Sequence, residues 1–144
     1  MVTVRRITIW RCEVDDRPGA LAEVLEPLTA ARADLDVVMG YKIPRERERA
    51  VIEVWPVSGQ RLSEAAEGAG LRPSPTPTLL VTGGNQRSLG HAVARALGDA
   101  GINLSFLVAQ VVDRRYSAVF GFSTDSDADR AAAVIRKAAR AHSA

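Results

Sequence analysis

The pattern of apolar and polar residues divides the chain into the same series of elements twice over. In the first half, alternating positions predict strands and helically spaced apolar positions predict helices: strand 3–14, helix 20–32, strands 35–43 and 50–57, helix 60–69. In the second half the same reasoning predicts strand 78–82, helix 88–100, strands 104–112 and 116–123, and helix 125–141. Each half therefore has the order strand, helix, strand, strand, helix.

The two halves also share residues at a fixed distance along the chain. One and the same offset in residue number relates the two members of each matching pair: Val24 and Val93, Leu28 and Leu97, Asp34 and Asn103, Leu35 and Leu104. These pairs span the apolar face of a helix and the start of the next strand, so the common offset indicates internal duplication. We expect two modules, residues 1–75 and 76–144, each too small to bury a large core alone.

The order of elements predicts the fold class. A unit of this order is expected to form an antiparallel sheet with both helices on one face, an α+β sandwich of the ferredoxin-like kind. A fourth strand would complete each sheet. Residues 71–77 contain three prolines and can form only a poor edge strand that runs into the linker. No fourth strand is visible in the second half.

Residues 104–112 are apolar on both faces of the predicted strand rather than on one. Such a strand needs cover on both faces. It lies either at the centre of the chain's own core or against a partner sheet, and the pattern leaves both interpretations open. The second interpretation predicts self-association as a homo-oligomer, most simply a dimer.

Composition and charge narrow the function without deciding it. The chain carries 19 Lys and Arg against 17 Asp and Glu, a net charge of +2, which gives no electrostatic case for nucleic-acid binding. Cys12 is the lone cysteine, and no histidines or carboxylates have metal-ligand spacing, so we expect no disulfide, metal or cofactor. No apolar run is long enough to cross a bilayer, and we expect a cytoplasmic protein with no membrane partner.

The turn between the first strand and the first helix offers a place for a small anionic ligand. A helix N-terminus presents unpaired N–H groups and the positive end of the helix dipole, and both favour a carboxylate. Gly19 lets a ligand approach the backbone, and Asp15 or Asp16 can accept hydrogen bonds from an ammonium group. The simpler interpretation, which we favour for Asp16, is that its side chain caps the helix.

The corresponding turn of the second half has a second possible interpretation. Gly83, Gly84 and Asn85 followed by a helix look like the cofactor loop of short-chain dehydrogenases. That loop needs a glycine where Ser88 stands, and too little chain follows for a parallel sheet, so a nucleotide-binding enzyme is the least favoured alternative. Ser88 and His91 lie one helical turn apart, but no carboxylate orients the histidine, which argues against catalysis.

Short motifs recur around both turns. The first module carries Asp16-Arg17-Pro18-Gly19-Ala20-Leu21 and then Ala33-Asp34-Leu35, and the second carries Leu89, Val93, Leu97 and Gly101-Ile102-Asn103-Leu104. This pattern resembles the ACT domain, a βαββαβ amino-acid-sensing module, and the resemblance covers almost the whole chain as two tandem copies. It implies a non-enzymatic regulatory protein that holds an amino acid or similar metabolite between the turn of one module and a strand of its neighbour. The regulatory signal would then pass to a protein partner.

The residues that we expect to contact such a ligand lie in both turns and before the next strand: Asp15, Asp16, Gly19, Ala20, Leu21, Gly84, Asn85 and Asn103. The second turn departs from the family pattern, because Arg87 and Ser88 replace the Pro-Gly pair. We therefore expect one working site rather than two. The main alternative is a protein-interaction or oligomerisation module that binds no ligand.

Overall fold

A computed structural model describes residues 1–143, so residue 144, the predicted end of the second module, lies outside the described residues. The chain forms two compact units. Thr8–Ser74 form one unit, which we call the first module. Met1–Ile7 and the chain from Pro75 onward form the other, which we call the second module.

Apart from a break within the first predicted strand, the described helices and strands follow one another in the predicted order. In chain order they are β1 (Val2–Ile7), β2 (Trp10–Asp15), α1 (Ala20–Ala30), β3 (Val37–Lys42), β4 (Arg49–Trp55), α2 (Gln60–Gly68), β5 (Arg72–Pro73), β6 (Thr78–Gly84), α3 (Leu89–Asp99), β7 (Phe106–Val112), β8 (Arg115–Gly121) and α4 (Asp125–Ser143). The repeat extends to the helices. The first residues of α1 and α3 are separated by the same number of positions as Val24 and Val93, and so are the last residues of these two helices.

The first module is an antiparallel sheet with two helices packed on it. Its strand order is β3-β4-β2-β5, and each neighbouring pair is antiparallel. The core contains residues of α1, α2, the sheet and the segment between α2 and β5: Trp10, Cys12, Val24, Leu28, Ile52, Val54, Ala66 and Leu71. β5 is only two residues long and contains Pro73, as expected for a strand interrupted by prolines.

The second module has the same architecture, with one strand taken from the beginning of the chain. Its order is β1-β6-β8-β7, all antiparallel, and β1 pairs with β6 so that Val4 lies opposite Val81. The core lies between this sheet and the helices α3 and α4. The fourth strand that is invisible in residues 76–144 is therefore present, and β1 supplies it.

The sequence-based prediction of a single strand over residues 3–14 is wrong. β1 ends at Ile7 and β2 begins at Trp10, and the two strands belong to different sheets. The break is hidden in the sequence because Ile7 and Ile9 on either side of Thr8 are both buried, so the alternation continues across it. No glycine or proline marks the boundary.

The antiparallel sheets agree with the predicted α+β fold class and remove the structural basis for a dinucleotide-binding enzyme. β6 and α3 are followed by the β7–β8 hairpin, and β8 pairs directly with β6 in antiparallel fashion. A doubly wound dinucleotide-binding fold requires a parallel sheet with helices on both faces. Among residues 1–143 no helix is long and apolar enough to cross a bilayer.

Candidate functional site

The turn of the first module leads from β2 into α1 through a left-handed residue. Gly19 has φ +89° and occupies the position before the helix, a conformation that glycine adopts without steric cost. The helix has no side-chain cap, so the favoured interpretation of Asp16 as a capping residue is wrong. Instead, an Asp16 carboxylate oxygen lies 3.2 Å from Lys42 Nζ.

The backbone at the start of α1 keeps free donors. Ala20 N–H donates to the Arg17 carbonyl at 3.3 Å and Glu23 N–H to the Gly19 carbonyl at 3.0 Å. Within the described chain, the N–H groups of Leu21 and Ala22 have no acceptor, as is usual for the first turn of a helix. The site therefore offers two hydrogen-bond donors at the positive end of the helix dipole.

The charged side chains around the turn are paired with one another. Asp15 accepts a hydrogen bond from Arg49 at 2.8 Å, across the β2–β4 pairing, and Arg17 forms an ion pair with Glu23. With the Asp16–Lys42 pair, this leaves both acidic residues of the turn neutralised at the protein surface. Exposed pairs of this kind contribute little to stability, so a charged ligand can displace a partner at low cost.

A cleft of about 230 Å³ lies beside this turn, within the first module. It is bounded by the end of β2, the start of α1 and facing parts of β3 and β4, and its lining residues are Val14, Asp15, Asp16, Arg17, Ala20, Leu21, Gly40, Tyr41, Lys42, Ala50, Val51 and Ile52. Asp15, Asp16, Ala20 and Leu21 are residues that the sequence analysis selected. Gly19 directly precedes Ala20 without lining the cleft itself.

Eight of the twelve lining residues were not selected from sequence, and three of them shape the cleft. Lys42 ends β3, while Gly40 and Ala50 are small residues that leave space in the cleft. Lys42 lies opposite Ala50, and Gly40 opposite Ile52, in the register of β3 and β4. That register depends on the intervening loop, whose length and alternating charges predict only an exposed hairpin.

The second-module candidates are arranged differently. Gly84 ends β6, and Asn85 uses its backbone N–H to bind the Arg114 carbonyl at 2.8 Å. Asn103 lies exposed after α3. The end of α4 reaches the same turn: Gln86 Nε2 donates to Ser143 Oγ at 3.3 Å, and His142 Nε2 lies 2.6 Å from the Arg87 carbonyl oxygen. This turn is thus engaged by the chain's own last helix.

A buried carboxylate lies on the first-module sheet at the centre of a small polar network. Glu53 is only 4% exposed, and Tyr41 donates its hydroxyl hydrogen to Glu53 Oε2 at 3.2 Å. Arg11 Nε lies 3.9 Å from the other carboxylate oxygen. Burial raises the pKa of Glu53, while the Tyr41 hydrogen bond and the Arg11 charge oppose that rise. No group of three or more His, Cys, Asp or Glu within residues 1–143 could hold a metal ion.

The strand β7 lies at the edge of the second-module sheet. It is therefore not the central strand that one interpretation of its apolar sequence required. Four of its side chains are among the most exposed large apolar groups of the protein: Leu107 at 46%, Val108 at 47%, Val111 at 50% and Val112 at 57%. Isolated exposed apolar residues are ordinary, but a run of them along an open strand edge is a typical interaction surface.

Comparison with solved structures identifies the architecture. Protein BT0572 from Bacteroides thetaiotaomicron superposes with a TM-score of 0.74 over 93% of this chain and 89% of its own, at 12% identity. The ligand-free regulatory subunit of aspartate kinase from Thermus thermophilus matches over 95% of both chains, with a TM-score of 0.61 and 17% identity. Its counterpart from Thermus flavus gives the same coverage and identity, with a TM-score of 0.59. The fold is that of two ACT modules in tandem along the chain.

These similarities are structural. No protein-family model matches the sequence, and no curated protein matches it significantly. At identities of 12–17% the tandem ACT fold is what the chain shares with these neighbours. Two of the three are regulatory subunits of an enzyme. The resemblance drawn from the motifs around Gly19 and Asn103 is confirmed at the level of the fold.

Proposed function

We propose that this protein of two tandem ACT modules is a non-enzymatic regulatory protein that binds a free amino acid in the first-module cleft. The single observation that carries the proposal is the meeting of Asp16, Lys42 and the start of α1 at one cleft. An amino acid is a zwitterion. Its ammonium group fits the Asp16 carboxylate, and its carboxylate fits Lys42 and the free N–H groups of Leu21 and Ala22.

The first module is favoured over the second as the working site. In the first module the turn opens onto a cleft, whereas the second-module turn binds the end of α4 through Gln86 and Arg87. The glycine that precedes α1 is replaced by Ser88 before α3. Asn85 and Asn103 are therefore secondary candidates, and Asp15, Asp16, Gly19, Ala20 and Leu21 remain the primary ones.

The regulatory output is expected to pass through a protein partner. A ligand shifts an assembly only as far as it binds one state more tightly than the other. Regulatory subunits of aspartate kinase are structural neighbours, which supports a role in which this chain senses a metabolite for another protein. The lone, buried Cys12 suits a reducing cytoplasm, where we place the protein.

A thermal-stability screen against the twenty amino acids tests the proposal. A ligand at a hundredfold over its dissociation constant stabilises the protein by about 2.7 kcal/mol. Asp16→Asn and Lys42→Met are each expected to weaken binding at least tenfold, because each removes one charge that the zwitterion pairs with. Asp129→Asn, which changes a carboxylate of the second module, is the matched control. If none of the amino acids stabilises the wild-type protein at millimolar concentration, the ligand-binding function is wrong.

A second candidate function, an interaction module without a ligand, is favoured by the exposed apolar edge of β7. In that case the same surface would carry the entire activity, and the cleft would be a remnant of the repeated fold. This alternative would be supported if no amino acid stabilised the protein and if its self-association depended on β7. The two functions are compatible, because an amino-acid sensor can also assemble through β7.

A further inference from the structure

We propose that the first-module cleft selects an amino acid whose side chain is uncharged and apolar. This inference rests on the proposed function and adds the chemical class of the ligand. The ligand backbone would pair with Asp16 and Lys42 at the rim of the cleft, and its side chain would pass between α1 and the sheet to lie over Gly40.

The inner lining of the cleft is apolar. Val14 and Lys42 both lie opposite Ala50 in the sheet register, so these positions share the sheet face that carries the core residue Ile52 and the helix α1. Ala20 and Leu21 form the helix side of the cleft. A ligand side chain that enters between these elements meets methyl and methylene groups.

The polar side chains of the lining already have partners. Asp15 pairs with Arg49, and Arg17 pairs with Glu23. The Tyr41 hydroxyl binds Glu53, a residue that lies outside the cleft lining. Once Asp16 and Lys42 hold the ligand backbone, a charged ligand side chain finds no unpaired opposite charge in the lining. It would have to displace Arg49 or Glu23 from its partner, whereas an apolar side chain enters without disturbing either ion pair.

Gly40 indicates where the side chain goes. A glycine inside a strand usually marks a bulge, a strained backbone, or the close approach of another backbone or a ligand. The β3–β4 register runs through Gly40 without a bulge, and its φ is not in the left-handed region. A Cβ built at Gly40 would have its nearest neighbour, the Val51 carbonyl oxygen, at 4.0 Å. No other atom outside residues 39–41 lies within 4 Å of that Cβ, so the side of the strand above Gly40 is open to a ligand.

The size of the cleft suits a side chain of moderate length. Its volume is about 230 Å³, shared between the ligand backbone at the rim and the side chain over Gly40. Each methylene that is buried strengthens binding about fourfold. Valine, leucine, isoleucine and methionine are therefore expected to bind at least tenfold more tightly than glycine, and more tightly than aspartate, glutamate, lysine or arginine.

Gly40→Val is the decisive variant. The change suits a β-strand, and its two methyl groups fill the space above residue 40, so the variant should fold at least as stably as the wild type. By calorimetric titration, its affinity for leucine should fall at least tenfold, while its affinity for glycine should change by less than threefold. Ala109 of β7 is the residue of the second module that corresponds to Gly40 in the repeat. Ala109→Val is therefore the control, and it should leave leucine binding unchanged.

Each outcome separates this inference from the proposed function. If a charged amino acid binds best and Asp16→Asn abolishes its binding, the apolar selection is wrong and the amino-acid function stands. If Gly40→Val binds leucine as the wild type does, the place assigned to the side chain is wrong. Gly40→Ala serves if the valine variant fails to fold, and it should weaken leucine binding by an intermediate factor. Failure of every amino acid to bind overturns both proposals.

Discussion

Ser88 adopts the backbone conformation of a glycine. It precedes α3 as Gly19 precedes α1, and its φ of +66° is in the left-handed region that Gly19 also occupies. A non-glycine residue in that region is sterically strained. The second module thus has the same turn conformation as the first, but with serine at the position where glycine would be unstrained.

Replacing Ser88 with glycine is expected to stabilise the protein by about 1 kcal/mol, because relief of the left-handed strain exceeds the entropy cost of glycine. The Ser88 side chain makes no capping hydrogen bond whose loss would offset this gain. Urea unfolding measures the change. Gly19→Ser should shift stability in the opposite direction, and a destabilised Ser88→Gly variant would contradict the argument.

Glu53 gives stability a predictable dependence on pH. Because its pKa in the folded protein is raised above the ordinary value of 4.5, the folded state holds the proton longer than the unfolded state does. Its contribution is fully present below that ordinary value and is lost as pH rises through the folded pKa. The facing charged and titratable groups are Tyr41 and Arg11.

Unfolding free energies measured from pH 4 upward for the wild type and Glu53→Gln test this dependence. The wild-type value minus the variant value should fall as the pH rises and then level off, because glutamine cannot ionise. Glu26→Gln, which changes an exposed carboxylate on the helix α1, is the control and should leave the wild-type slope in place. If the wild-type value minus the variant value grew with pH, the Arg11 charge would outweigh burial in setting the pKa of Glu53.

Sequence reasoning found the turn but not the whole cleft. Asp15, Asp16 and Gly19 are contiguous and carry their own local signals, an acidic pair and a glycine before a helix. Lys42 and Gly40 come from a strand whose alignment with β4 is fixed only in the folded sheet. The capping role expected for Asp16 was wrong because Lys42, distant in sequence, binds its carboxylate.

At the scale of elements, the duplication predicted from a few matching positions extends to whole helices. α1 and α3 have the same length and keep the repeat offset at both ends. The offset is lost at β4 and β8, because the loop after β3 is longer than the loop after β7. Periodicity therefore predicted most of the elements, while the pairing of β1 with β6 could not be predicted because it joins segments that are distant in sequence.

β1 should stabilise the second module specifically. Val4 is 5% exposed in the same core as Leu79 and Val93, and the Val4 carbonyl accepts a hydrogen bond from Arg136 at 2.8 Å. Val4→Ala is expected to cost about 2 kcal/mol through lost burial and the cavity that remains. Amide hydrogen exchange should then quicken in β6 and α4 and remain unchanged in β2 and β4.

Thr3→Ala is the matched control for β1, because Thr3 is exposed on the same strand. It should leave exchange in both modules close to that of the wild type. If Val4→Ala instead quickens exchange in β2 and β4 alone, the assignment of β1 to the second module is wrong. The same measurement thus tests the boundary between the modules as well as the energy of one buried side chain.

At the scale of the whole molecule, the open edge of β7 is the surface on which assembly should depend. An antiparallel pairing of two β7 strands would cover apolar side chains of both copies and satisfy the free backbone groups of each edge. Val108→Lys is expected to convert a homodimer to monomer in light scattering, because charge on an edge strand prevents pairing.

Val38→Lys, at an exposed apolar position on the edge strand β3, is the control for Val108→Lys. It should leave the molecular mass unchanged. A dimer that survives Val108→Lys and is lost with Val38→Lys would assign the interface to the first module instead. If the wild-type protein is strictly monomeric at high concentration, the predicted self-association is wrong.

The position of β1 also orders events during synthesis. Thr8–Ser74 form the first module from one continuous stretch, so every residue of that module is present once the stretch has been made. Val2–Ile7 are made before it, yet their partners Thr78–Gly83 are made after it. At about 5–20 residues per second, β1 waits several seconds for its sheet. A nascent chain halted after Ser74 would therefore contain every residue of the first module and a β1 segment with no sheet to join.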